Sequence, residues 1–245
     1  DTTCTFASTC PTDAQLGSMT LTPGAGNYII FFSGTMEGPA TSNIYTSIYV
    51  NSAQVTHTER ALYSEASFPN SSWGVSTQAY VEGVGAGQAI EIKWRITTGT
   101  ATAHERTLVV QKVSSGSVTQ ASATSDDTTT STTDTALNSM TLTHGACNYL
   151  IFFNTAIKNT FVATTGSTQN VSLYLPSGQI AHSERQIFTE ESIDAGDVDS
   201  FPVTSHAYIT SLGASDAIEV KWRTTFGTAT AHQRSLIAFN LNSIP

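Results

Sequence analysis

Charge is scarce in this chain, and positive charge most of all. Asp, Glu, Lys and Arg make up 12% of its 245 residues, with 10 Lys and Arg against 19 Asp and Glu, a formal net charge of −9. Binding to a phosphate backbone needs clustered cations, so nucleic acid is not an expected partner. The acidity instead favours solubility and repulsion between unassembled subunits. No apolar run approaches the ~20 residues of a membrane helix. The longest, Tyr149-Leu150-Ile151-Phe152-Phe153, has the length of a buried strand, and no membrane insertion is expected. Cysteine is limited to three residues. Cys4 and Cys10 are near enough to close a small loop as a disulfide, a pairing whose geometry the sequence leaves open. Cys147 is left over and reads as a small buried residue. No Cys-x-x-Cys or Cys/His spacing accompanies them, so neither a metal nor another cofactor is expected. The first residue is Asp1 and not Met; removal of a signal peptide and processing during particle assembly both stay open.

What the chain has in abundance is Thr, Ser, Ala and Gly, which suit strands and short polar turns better than helices. It also repeats itself. Thr12-Asp13-Ala14-Gln15-Leu16 and Ser18-Met19-Thr20-Leu21-Thr22 return as Thr133-Asp134-Thr135-Ala136-Leu137 and Ser139-Met140-Thr141-Leu142-Thr143. Gly26-Asn27-Tyr28-Ile29-Ile30-Phe31-Phe32 returns as Cys147-Asn148-Tyr149-Leu150-Ile151-Phe152-Phe153. Ala89-Ile90-Glu91-Ile92-Lys93-Trp94-Arg95 returns as Ala217-Ile218-Glu219-Val220-Lys221-Trp222-Arg223. Near the ends, Thr100-Ala101-Thr102-Ala103-His104-Glu105-Arg106 matches Thr228-Ala229-Thr230-Ala231-His232-Gln233-Arg234. A period of about 121 to 128 residues is far above that of solenoid repeats and means duplication of a whole domain. The offset grows between Phe153 and Leu173 and again between Arg185 and Ala207, so the copies diverge in surface loops there.

The domain organisation that follows is an arm at 1–11, a first domain at 12–113, a linker at 114–132 and a second domain at 133–245. The linker, centred on Ser122-Ala123-Thr124-Ser125-Asp126-Asp127-Thr128, has almost no large apolar residue and reads as exposed. Within the copies, Ile90, Ile92 and Trp94 alternate with Glu91, Lys93 and Arg95, an apolar face inward and an ionic face outward. Ser47-Ile48-Tyr49-Val50-Asn51 followed by Gln54-Val55-Thr56-His57 reads as a hairpin. No sustained helical period is present. The fold class is all-β, two tandem β-sandwich domains related by internal duplication.

The order of these pieces resembles the jelly roll of the C1q and tumour-necrosis-factor superfamily. The residues carrying the likeness are Gly26-Asn27-Tyr28-Ile29-Ile30-Phe31-Phe32, Ser47-Ile48-Tyr49-Val50-Asn51, Gly85-Ala86-Gly87-Gln88-Ala89-Ile90-Glu91-Ile92 and Arg106-Thr107-Leu108-Val109-Val110. In the second copy the late turn is Ala214-Ser215-Asp216 and the Asn turn becomes Pro176-Ser177-Gly178. The His-x-Glu-Arg wording in mid-domain and Thr-Ala-Thr-Ala-His near the end are similar to small jelly-roll proteins of tailed bacteriophages that decorate capsids or form head fibres. The chain departs from animal C1q-like proteins in lacking a collagen stalk and in carrying two domains. The resemblance implies a homotrimer, with itself and a capsid or other surface protein as partners.

The constellation with most chemistry in it is His57, Glu59, Arg60, His104 and Arg106, repeated as His182, Glu184, Arg185, His232 and Arg234. On an extended strand His57 and Glu59 share a face, as do His104 and Arg106, and neighbouring strands would let them converge. Histidine with carboxylate can ligate zinc or nickel or do acid–base work. Arginine beside a proposed metal opposes it, however, and both copies carry the set, as fold maintenance or symmetric assembly requires. An ion-paired structural or interface cluster is therefore the expectation, with no catalytic and no metal-binding residues. The acidic loop bearing Glu190, Glu191, Asp194, Asp197 and Asp199 lacks the closing Glu of a calcium loop and is expected to be solvated. Trp94 and Trp222 are expected in core or interface packing. Trp73, in a loop where the copies diverge, is a candidate partner contact together with that acidic loop. Asn70-Ser71-Ser72 and Asn170-Val171-Ser172 match the glycosylation triplet.

Taken together these features point to a non-enzymatic virion protein, a capsid decoration or head-fibre subunit at the virion surface. The alternatives are an extracellular adhesin or filament subunit assembling by strand addition and, less favoured, a carbohydrate-binding module.

Overall fold

The computed structural model describes residues 1–6, 10, 12–64, 72–160, 166–189 and 200–243. The chain is all-β and forms two compact units, Asp1–Val113 with Asp199–Pro202, and Ser114–Val198 with Val203–Pro245.

The first unit contains β1 (Thr2–Thr5), β2 (Ala14–Leu21), β3 (Gly26–Glu37), β4 (Ser42–Val50), β5 (Ala53–Gln54), β6 (Arg60–Ser64), β7 (Ser72–Val84), β8 (Ile90–Ile96) and β9 (Thr100–Val113). One sheet runs β1-β9-β3-β7; the other runs β2-β8-β4-β5, with β6 also on β4. Both contribute to one core that holds Tyr28, Ile30, Phe32, Ile44, Ile48, Ile92 and Trp94. β8 shows why: its residues are alternately buried and half-buried along its whole length, as a strand with one wet face must be. The β4–β5 hairpin turns on Asn51 and Ser52, both at positive φ (49° and 66°), the conformation whose twist suits a two-residue connection. Cys4 and Cys10 are disulfide-bonded, with Cα atoms 5.5 Å apart.

The second unit contains β10 (Val118–Ala123), β11 (Asp127–Thr129), β12 (Thr135–Thr143), β13 (Cys147–Thr160), β14 (Ser167–Leu175), β15 (Gly178–Gln179), β16 (Arg185–Thr189), β17 (Ser200–Leu212), β18 (Ala217–Thr224) and β19 (Thr228–Asn240). Its sheets are β10-β19-β13-β17 with β11 also on β19, and β12-β18-β14-β15 with β16 on β14. Its core holds Tyr149, Ile151, Phe153, Leu173, Val220, Trp222 and Leu236.

Two segments behave differently from the sequence expectation. Residues 114–132 are mostly exposed, as expected, but they are not an unpaired linker: β10 and β11 follow one another along β19, pairing from Val118↔Phe239 to Ala123↔Arg234 and from Asp127↔Ala231 to Thr129↔Ala229. Backbone ladder bonds hold a strand whose small side chains gave no hydropathy signal. The residues 1–11 likewise include a paired strand, β1, in register Thr2↔Ala103 to Thr5↔Thr100. That makes β1 the counterpart of β11.

Candidate functional site

The polar residues that both copies preserve assemble into two separate networks in each unit, one per sheet. On the outer side of β8, the Arg95 Nη1 donates to Asp13 Oδ1 at 2.7 Å and to Glu59 Oε2 at 2.9 Å. The hydroxyl of Tyr49 donates to the other Asp13 oxygen, and the Gln54 amide donates to Glu59. The Arg95 guanidinium stacks over the Tyr45 ring at 4.2 Å, and Lys93 sits over Tyr49 at 4.5 Å. Burial opposes the Arg95 charge, but its bonds to Glu59 and Asp13 outweigh that and raise its pKa. Burial and the bond to Asp13 together push Tyr49 up.

In the second unit the same network recurs with Arg223, Asp134, Glu184, Tyr174 and Gln179: Arg223 reaches Asp134 at 2.6 Å and Glu184 at 3.0 Å. The bond to Asp134, and then burial, raises Tyr174 to about 12. Burial pushes the Asp134 carboxyl up, but the hydrogen bonds from Tyr174 and Arg223 outweigh it and hold the carboxyl below its usual value. Sequence reasoning passed over Asp13, Asp134, Tyr49 and Tyr174 as site residues. Their signal was available, since Thr-Asp opens both copies and Tyr recurs in matched strands.

The second network hangs on an arginine in the opposite sheet. Arg106 donates to the carbonyls of Gly17, Ala103 and His104 and to the Thr2 hydroxyl. Arg234 donates to the carbonyls of Asn138, Ser125, Ala231 and His232 and is fully buried. His104 lies between Asp1 and Glu37, 3.1 Å from each, whereas His232 contacts Asp126 at 2.8 Å.

The convergence anticipated for His57, Glu59, His104 and Arg106 does not occur. His57 lies in a 3-10 turn, Thr56–Thr58, where the two-residue alternation of a strand does not hold. The following β6 pairs with β4, while β9 pairs with β1 and β3 in the other sheet. His57 is buried, and that burial, with Arg60 beside it, lowers its pKa to about 4. Arg60 is fully buried too and donates to the carbonyls of His57 at 3.0 Å and Glu59 at 2.7 Å; burial brings it down to about 9, against the pull of Glu59. In the second unit His182 and Glu184 are exposed, and Arg185 keeps the same two carbonyl bonds, to His182 and Glu184. Among the described residues no group of three His, Cys, Asp or Glu side chains is placed to hold a metal ion.

Other expectations need correction or lie elsewhere. Trp73 is not a loop residue: it pairs with Met36 inside the β3–β7 ladder and is half-buried against the first core. Cys147 is half-buried, and its thiol donates to Asn240 Oδ1 at 2.8 Å. Asn170 is buried in β14 and is no acceptor for a glycan in the folded chain. Glu190, Glu191, Asp194, Asp197, Asp199 and Asn70 fall outside the described residues. Trp94 and Trp222 are core residues, as expected.

No protein family and no curated protein sequence matches the chain. Among solved structures, it is similar to that of infectious bursal disease virus, Gt strain, with 11% identity and a TM-score of 0.37 over 91% of this chain and 60% of that one. The T13 particle of the same virus gives 12% identity and a TM-score of 0.37 over 91% and 58%. The tandem CBM22-1–CBM22-2 domain of Paenibacillus barcinonensis Xyn10C gives 8% identity and a TM-score of 0.27 over 97% of each chain. The chain thus spans less than two thirds of the length of the viral chains it resembles. Similarity at this level says nothing about role.

Proposed function

We propose that this chain is a non-enzymatic structural protein of a virion surface, a capsid decoration or head-fibre subunit that acts as a trimer. The observation that carries the reading is the employment of the preserved charged side chains. Arg60, Arg106, Arg185 and Arg234 donate to backbone carbonyls, and Arg95 and Arg223 each tie two carboxylates within their own unit. Duplicated groups committed to internal ties serve a scaffold, since a reacting group needs a pocket and an open coordination or proton-transfer position. An excess of negative charge keeps free subunits apart until assembly.

Two measurements test this. Native mass spectrometry of the purified chain is expected to give a closed trimer. Antibody against the chain is expected to label the outside of particles purified from its source, and stripping the chain should lower the temperature at which those particles release their contents. A chain found in no particle fraction, or one that polymerises openly without particles, overturns the reading.

A further inference from the structure

The two copies differ at one sheet edge. In the second unit β19 is flanked on its outer side by β11 along Ala229–Ala231 and by β10 along Arg234–Phe239. In the first unit β1 flanks β9 only along Thr100 to Ala103. Among the described residues no strand pairs with 106–111 on the side away from β3.

The burial of matched residues records the difference. Arg234, Leu236 and Ala238 are fully buried behind β10, and Met140 on the facing β12 is too. Their counterparts Arg106, Leu108, Val110 and Met19 are all half-buried, and Leu108 and Val110 border the core of the first sandwich. Val109, between them, is 48% exposed. An edge strand with Leu108-Val109-Val110 and no charge between Arg106 and Lys112 lacks the protection that isolated edges usually carry.

The second copy also shows what fits. Ala123, Ala121 and Thr119 pair with Arg234, Leu236 and Ala238. The two alanines pack against the core, and Thr119, at the exposed end of that face, brings its hydroxyl to 2.9 Å from Nδ1 of the buried His144. In the first unit Val110 stands where Ala238 does, so the third inward position must be small as well. We infer that the open edge of β9 at 106–111 is an acceptor for an extended polypeptide strand of β10 chemistry. The strand runs antiparallel to β9 and presents Ala, Ser or Thr at each inward position. Main-chain bonds supply the affinity and the small inward side chains the selectivity. This inference is independent of the virion reading, since it rests on the comparison of the two units alone.

Amide hydrogen exchange on the full chain tests it. Adding a synthetic peptide of residues 117–125 is expected to slow exchange at 106–111 by about tenfold or more in a saturable way, leaving β19 unchanged. Placing the same nine residues directly before Asp1, which puts them at the position β10 holds relative to β11, is expected to do so with no added peptide. The Ala121→Glu form of that fused strand is expected to lose the effect, because a carboxylate would enter the core. The inference is overturned if the fused strand leaves exchange at 106–111 unchanged, or if the Glu form protects equally. It is also overturned if the unmodified chain protects this edge by concentration-dependent pairing of β9 with β9 of a second copy.

Discussion

Arg106 reaches from one sheet of its sandwich to the carbonyl oxygen of Gly17 in the other, 3.2 Å from Nε and 3.1 Å from Nη2. Both ends of that link are irregular. Gly17 precedes Ser18, whose φ of 64° falls where β2 shifts register, and β9 shifts register between Ala103 and Arg106. The guanidinium collects carbonyls at the two shifts, those of Gly17, Ala103 and His104. Arg234 repeats this with Asn138 and Ala231, next to Ser139 at φ 62°.

Replacing Arg234 with Ala is therefore expected to destabilise the second unit by about 3 kcal/mol, because several buried acceptors lose a charged donor together. Arg106→Ala should cost the first unit less, about half as much, since water reaches the half-buried site. Urea unfolding followed by hydrogen exchange in each unit measures both. Arg234→Lys should recover less than half, as an ammonium cannot fork between the same carbonyls.

Acid should weaken the first unit through His57. Its pKa is about 4 in the fold against an ordinary value of 6.5. Above pH 6.5 the imidazole is neutral whether folded or unfolded, and its contribution is complete. As pH falls from 6.5 to 4 only the unfolded chain takes up the proton, so up to about 3 kcal/mol is lost. His57→Gln should flatten that decline in the first unit. Burial also lowers His144 in the second unit, so the readout must resolve the two units, and a variant that leaves the first-unit slope unaltered refutes the assignment.

The Arg95 network should matter more than its copy. Glu59 is better shielded than Glu184, and Arg95 alone stacks on a tyrosine, Tyr45, where the second copy has Asn170. Arg95→Met is expected to cost about 2 kcal/mol and Arg223→Met about 1 kcal/mol, both partly exposed ties. Equal losses in thermal unfolding would contradict this ranking.

Reducing the Cys4–Cys10 bridge should act locally. A loop with a sequence separation of 6 corresponds to about 2 kcal/mol of chain entropy. Cys10→Ser should loosen β1 and speed amide exchange at Ala101 and Ala103, while β3 and β8 keep their protection. Uniform loss across the unit would show that the bridge is a global staple.

How much was legible in the sequence differed by element. The faces of β8 were readable from Ile90 to Arg95 because one wet face and one dry face impose strict alternation. The duplication was readable because whole strands return with few changes, as Ala89–Arg95 does at Ala217–Arg223 with only Ile92 exchanged for Val220. β10 was invisible for a physical reason: the residues on its inward face are Ala123 and Ala121, set opposite the large Arg234 and Leu236, and Thr119, so they carry no apolar pattern.

The sequence by itself determined an all-β chain, its duplication, the apolar faces of its strands and its shortage of cations, since each depends on local periodicity or on counting. Only the tertiary structure decided that His57 and His104 belong to different sheets, that Arg95 meets Asp13 and Glu59, and that Arg106 spans two bulges. Strand neighbours are chosen by long-range pairing, which no two-residue period encodes. The same is true of the edge of β9: its residues read like those of β19, and only the missing neighbour sets them apart among the described residues.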